Sequence, residues 1–291
     1  MIESTARPAA AGKRGSRRGL FRVSRIAVYV ALLAAAVFYV IPVYLLFMTG
    51  MKTFVEASQQ SLMWQLPRAA SFDSFAEAWR TISPNFLNSL KIAVPAAVLS
   101  SMLGSLNGYI LAKWRFRGSE TLFTLILFGM FIPYQSILIP LLKLESSLGL
   151  YNTLLGLVII HIIYGIPITT LIFRNYYVGI PEELVEASRM DGAGFFGIFR
   201  HVLLPLSVPG FVVVLIWQFT SAWNDFLFAV TLTGQDNWPI TVAVNNLAGS
   251  FEVAWNVQMA GALIAAVPTL VVYILLGKYF MRGLLAGSLK G

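Results

Sequence analysis

Few residues in this 291-residue chain are of the types that do chemistry, and their spacing removes most reactions. Asp225 is the one carboxylate inside a long apolar run, and His161 is the one histidine so placed. Proton-coupled carriers place several ionisable groups within their spans, because such groups are costly there and are kept for function. This pair is too sparse for a relay, and His161 reads as a packed, hydrogen-bonded residue. No paired carboxylates, no His-Glu-x-x-His and no serine-nucleophile motif occur. There is no cysteine, which excludes thiolate metal ligation, thiol catalysis and a disulfide framework. Gly192-Ala193-Gly194-Phe195-Phe196-Gly197 has the glycine spacing of a dinucleotide fold. That spacing has meaning only between a strand and the helix it opens, and here it follows a helical stretch in a short loop. No Walker A loop is present, so this chain is not expected to bind ATP by that route. It reads as a protein that is not by itself an enzyme, with no cofactor and no metal of its own.

Two groups of residues remain. Trp223, Asn224 and Asp225 combine an aromatic face with planar hydrogen-bonding groups, the types that hold sugars, and they mark a candidate substrate pathway. Helix packing and anchoring at the membrane boundary explain the same three residues equally well. The second group is a loop at 174–203, running on to Pro205. Ile180-Pro181-Glu182-Glu183 is a helix start, since proline suits a first turn and carboxylates complement the positive helix end. The helix should close near Asp191-Gly192, where glycine can take the left-handed conformation. A second short helix is expected over about 195–202. Phe195, Phe196 and Phe199 are apolar residues outside any span, and such residues cover a partner. The spacing predicts a docking knob of two short helices lying along the membrane.

The elements that hold these residues are membrane spans. The chain is 57% hydrophobic and only 12% charged, well below the charge of about 25% usual in soluble domains. The apolar residues fall in blocks long enough to cross a bilayer. Six spans are expected, at about 26–48, 89–112, 122–142, 153–173, 204–232 and 257–280. A short interfacial helix is expected over the aromatic stretch before the second span, around Phe72, Phe75 and Trp79. Gly104 and Gly108 have the spacing that lets two helices approach closely. Sixteen of the 21 Lys and Arg residues fall in the segments that are inner if the N-terminus is inside. The positive-inside rule then sets both termini in the cytoplasm. The net charge of +8 is explained by these basic inner ends, with no nucleic-acid partner needed. The organisation is a basic cytoplasmic tail at 1–25, a six-span membrane domain at 26–282 and a C-terminal tail at 283–291.

The loop carries a resemblance. Glu186-Ala187-Ser188, three residues, Gly192, nine residues, then Val202-Leu203-Leu204-Pro205 matches the spacing of the "EAA" loop. That loop is the mark of the binding-protein-dependent ABC import permeases. Ser188 for the second alanine and Val202 for isoleucine are small departures. The chain also resembles the carbohydrate-uptake branch, in particular the smaller maltose-type or glucose-type permease subunit. Asn88-Ser89, Arg115-Phe116-Arg117-Gly118, Ile132-Pro133, Trp223-Asn224-Asp225 and Ala286-Gly287-Ser288-Leu289-Lys290-Gly291 carry that likeness. Phe131-Ile132-Pro133-Tyr134-Gln135 and Gly277-Lys278-Tyr279-Phe280 are closest to glucose-type members.

The resemblance implies an all-α membrane protein with the type I ABC importer permease (MetI-like) fold. It implies import of a sugar, a mono- or disaccharide, by alternating access. The expected partners are a second, homologous permease in a heterodimer, two ATP-binding subunits that bind ATP and Mg, and an extracytoplasmic sugar-binding protein. Residues Glu183, Glu186, Ala187, Ser188, Asp191, Gly192, Phe199, Leu204 and Pro205 would couple to the ATP-binding subunit. The outer loop at 234–255 would match the scoop-like loop that reaches into the binding protein. The expected location is the bacterial cell (inner) membrane, multi-pass and among lipid. The competing class is a self-sufficient secondary carrier or channel for a small polar solute.

Overall fold

A computed structural model of the chain describes residues 15–114, 116–248 and 253–288. Residues 1–14 of the basic tail, Arg115, residues 249–252 of the outer loop and the last three residues lie outside the described residues. The helices in chain order are α1 (Gly15–Gly50), α2 (Phe54–Ala57), α3 (Asp73–Lys113), α4 (Ser119–Phe128) and α5 (Tyr134–Ser147). They continue with α6 (Leu154–Val178), α7 (Glu182–Met190), α8 (Phe195–Ile198), α9 (Leu204–Leu206) and α10 (Val208–Trp223). The last are α11 (Leu227–Leu232), α12 (Ile240–Asn246) and α13 (Trp255–Ser288). Among the described residues four helices are long and apolar enough to cross a membrane, or six if each of two bent pairs counts as one span.

The scaffold is the packing of α3 on α6, and its glycines explain how close the two come. A Cβ on Gly108 would meet the Arg174 backbone nitrogen and the Phe173 Cβ at 2.7 Å. Gly104 lies as tightly against Thr169. Without a hydrophobic drive between helices in lipid, such close backbone contact and buried hydrogen bonds do the joining. Thr169 Oγ1 donates to the Ser100 carbonyl at 3.1 Å. Ser105 and Tyr177 share a buried hydrogen bond of 2.5 Å. The small-residue spacing read from the sequence is therefore a helix contact.

Three boundaries differ from the sequence expectation. The interfacial helix before the second span is not separate, because α3 runs 41 residues without interruption past Pro84 and Pro95. Ala78 and Ile82, on its early turns, are fully buried, so tertiary packing holds the proline-containing segment helical. The third span is two pieces, bent by 96° at Ile132-Pro133. The fifth is bent by 77° between Leu206 and Val208, ends at Trp223, and resumes only as the short α11. Prolines at 205 and 209 flank that bend and remove backbone donors there.

Candidate functional site

The loop between α6 and α10 folds as a self-closed knob. Glu182 and Glu183 fill the first turn of α7 behind Pro181. At the other end Gly192 has φ +83°, a conformation open to glycine and costly for other residues. This lets Ala193 N–H donate to the Ser188 carbonyl at 2.9 Å and Gly192 N–H to the Arg189 carbonyl at 3.0 Å. Those two bonds are the Schellman closure of a helix C-terminus. Val185 is fully buried and fastens the knob to a cluster with Tyr109, Phe173, Tyr177 and Ile198.

What the knob presents is narrower than its sequence suggests. Glu183, Glu186, Ala187, Asp191, Gly192 and Pro205 are exposed, and Ser188 and Leu204 are half-buried. Met190 is 88% and Phe196 73% exposed. Phe199, expected on the docking face, is instead buried, and its ring stacks on Tyr109 at 5.8 Å. Phe195 stacks on the same ring at 4.8 Å. Residues four apart share one side of a helical turn, so 195 and 199 turn inward together while Phe196 points out. Ser188, which stands in the motif's second alanine position, returns its hydroxyl to the Leu184 carbonyl at 2.7 Å. The departure therefore adds no free polar group to the knob.

Two residues outside the motif tie the knob to the core. Lys113, with a side chain only 5% exposed, donates to the Ile180 carbonyl at 2.7 Å and to Glu182 Oε2 at 2.9 Å. The Arg189 guanidinium lies 4.9 Å over the Trp114 ring. Both sit at the C-terminal end of α3, beside an open groove of about 1450 Å³. Sequence reasoning counted Lys113 only as an inner positive charge. No local pattern pairs it with Glu182, which is 69 residues away.

The Trp223-Asn224-Asp225 group divides. Trp223 is buried, donates its indole N–H to the Ala265 carbonyl at 2.9 Å, and packs against Phe86 and Phe219. It fastens α10 to α13. Asp225 is half-buried and caps α11, accepting the N–H of Phe228 at 3.3 Å and of Ala229 at 3.1 Å. Its carboxylate lies 3.6 Å from His161 Nε2, and its carbonyl accepts the Thr241 hydroxyl at 2.6 Å. His161 is buried, and its own carbonyl accepts Gln218 Nε2 at 2.8 Å. Asn224 alone of the three presents an exposed side chain. Among the described residues no group of three or more His, Asp or Glu could hold a metal.

The segment at 234–255, expected as an outer loop, is not free over its first half. Asn152 Oδ1 accepts Gly234 N–H at 2.6 Å, and Asn237 donates to the Asn152 carbonyl at 2.7 Å. Asn85 and Asn88 donate to the Trp238 carbonyl at 2.8 and 3.3 Å, and Ser89 Oγ accepts Ile240 N–H at 2.8 Å. Ile240 and Val242 of α12 are fully buried. On the same side, Lys52 donates to the Leu62 and Met63 carbonyls at 2.7 and 3.1 Å, closing the 52–63 turn. Burial pulls that ammonium below its ordinary range, and the Glu56 carboxylate partly offsets the shift.

A family model described as binding-protein-dependent transport system inner membrane component matches residues 104–284, a stretch that includes both the knob and the 223–225 break. A probable ABC transporter permease of Pyrococcus horikoshii is 49% identical over 270 residues, covering 92% of this chain and 98% of that protein. The xylose/arabinose import permease of Haloferax volcanii is 35% identical over 284 residues, 89% of this chain and 92% of that protein. Among solved structures, a bacterial ABC transporter involved in import of the acidic polysaccharide alginate superposes with a TM-score of 0.76. It covers 94% of this chain and 100% of that chain at 22% identity, a likeness of fold alone.

Proposed function

The chain belongs to the binding-protein-dependent transport system inner membrane components, and from that premise we propose that it is the permease subunit of an ATP-driven importer for a sugar, a mono- or disaccharide. As a permease it is not itself an enzyme. The observation that carries the reading is the knob: a rigid, self-capped pair of helices in the family's motif, with Glu186, Ala187, Met190 and Phe196 facing outward. A knob of this kind transmits rigid-body motion when seated in a groove, because it does not deform under load. An ATP-binding subunit would supply that groove, and the ATP and Mg with it. A second, homologous permease would complete the path, and an extracytoplasmic binding protein would deliver the sugar.

In this reading each bent helix pair is one span. The chain then crosses the cell (inner) membrane six times with both termini in the cytoplasm, as the Lys and Arg distribution supports. Glucose-type likeness at Phe131–Gln135 favours a monosaccharide. A relative named for xylose/arabinose import keeps pentoses among the candidates.

The test is co-purification of the tagged chain from native membranes, followed by reconstitution into vesicles. Recovery with a second permease and an ATP-binding subunit, and sugar uptake that needs both ATP and the binding protein, is the expected result. Recovery alone, with uptake that needs neither, identifies a self-sufficient carrier and overturns the reading.

A further inference from the structure

The break in the third span exposes polar side chains where a membrane span should have none. Tyr134, Gln135 and Ser136 open α5 directly after the 96° bend, and all three are exposed, Tyr134 by 41%. The bend divides the pair Ser119–Phe131 and Tyr134–Ser147 near its middle. Ring packing fixes the depth independently. Tyr134 and Tyr164 pack against Phe228, with ring centroids at 5.4 and 5.2 Å. Tyr164 lies ten residues into the 25-residue α6, about 15 Å along it. That is halfway through a hydrocarbon core of about 30 Å.

Hydroxyl and amide groups facing lipid at that depth are left without partners, and irregular backbone is tolerated there only where it is buried in protein or lines a water-filled cavity. This surface therefore faces water or protein. Its chemistry suits an uncharged, hydroxylated ligand: two tyrosine rings offer apolar faces, while their hydroxyls, the Gln135 amide and Ser136 offer hydrogen bonds. No charged side chain occurs between residues 121 and 142. Asp225, at the start of the helix that carries Phe228, is occupied in capping α11 beside His161.

We propose that Tyr134, Gln135 and Ser136 of α5, with Tyr164 of α6, form a mid-membrane subsite that contacts the sugar during its passage. The proposal rests on the importer reading above and moves the substrate contact from 223–225 to the break between α4 and α5. The residues come from two helices that meet across Phe228, so the subsite is assembled by the fold.

The chain has no cysteine, so Tyr134→Cys and Gln135→Cys each give a single reporter. The whole complex is reconstituted in vesicles and treated with a small water-soluble thiol reagent, with and without sugar, in resting and ATP-trapped states. Modification is read by mass on this chain. Labelling that sugar slows is the expected result. Labelling that sugar does not affect shows a path wall without a sugar site and overturns the proposal. No labelling in any state places the face against lipid or the partner permease and also overturns it. Gln135→Ala should lower uptake about tenfold at saturating loaded binding protein, the loss expected for a substrate hydrogen bond. The Gln135→Ala complex should assemble and melt as the unsubstituted one does. If its melting temperature falls in step with uptake, the residue is structural and the proposal fails. If the unsubstituted complex takes up no sugar with ATP, the importer reading fails, a separate outcome.

Discussion

The knob after α6 draws its exposed residues from one continuous stretch, closed at Gly192 by its own backbone, whereas the mid-span face draws Tyr134 and Tyr164 from different helices joined through Phe228. A knob that moves as a body is served by local closure: the bonds at Gly192 lie within the knob, and Lys113 adds a tether to α3. The mid-span face must change when the path opens, and a surface shared between helices changes whenever those helices move. Transmission favours local construction, and a gated path favours long-range construction. The two regions of this chain follow that division.

The largest expected effect separates buried from presented residues within the knob. Phe199→Ala should destabilise the protein by about 3–5 kcal/mol, the usual cost of emptying a buried aromatic site, seen as a lower melting temperature in detergent. Phe196→Ala, at a side chain 73% exposed, should leave melting unchanged and weaken retention of the ATP-binding subunit. Equal melting losses in the two variants would remove the distinction between anchor and docking residue.

Next is the tether from α3. Lys113→Met leaves the Ile180 carbonyl and Glu182 without their donor, which costs about 1–3 kcal/mol where the carbonyl is buried. ATP hydrolysis should continue while uptake per ATP falls. Unchanged stoichiometry would show that the knob keeps its seat without this link.

Gly192→Val forces a β-branched residue to φ +83°, at about 1–2 kcal/mol. No atom lies within 4 Å of the new Cβ, so the cost is conformational and local. The chain should still insert, while uptake falls to background. Glu186→Lys should also abolish uptake, through charge at the presented face. Normal uptake in both variants would break the argument that a rigid, specific knob couples the subunits.

The smallest effect is expected at Asp225. Asp225→Ala removes a cap worth about 1 kcal/mol and loosens α11, moving Phe228 and with it the packing of Tyr134 and Tyr164. Uptake should fall modestly, with melting lowered by a few degrees. A complete loss of uptake with normal melting would instead assign Asp225 to the sugar itself.

The knob was legible because its signals are local. Pro181, the paired glutamates, Asp191-Gly192 and the motif spacing all act within a few residues of the bonds they form. Its helices begin and end close to where those signals put them. The inward turn of Phe195 and Phe199 was not legible, because hydrophobicity alone does not say which side of a helix meets Tyr109. The same limit applies to Trp223, whose aromatic character fits a sugar stack or a core equally well until the Ala265 carbonyl appears beside it.

The sequence by itself determined the membrane character, the all-helical class, the close α3–α6 contact at Gly104 and Gly108, and the place and closure of the knob after α6. These follow from composition, short-range spacing and backbone preference, which act along the chain. Only the tertiary structure decided that α3 runs unbroken through two prolines, that α4 and α5 meet at a sharp bend at Ile132-Pro133, and that asparagines from α3 and from the turn before α6 pin the loop after α11. It also decided that Tyr134 and Tyr164 share one surface. Each of these depends on groups far apart in the chain supplying the packing and hydrogen bonds that a lone segment in a membrane lacks.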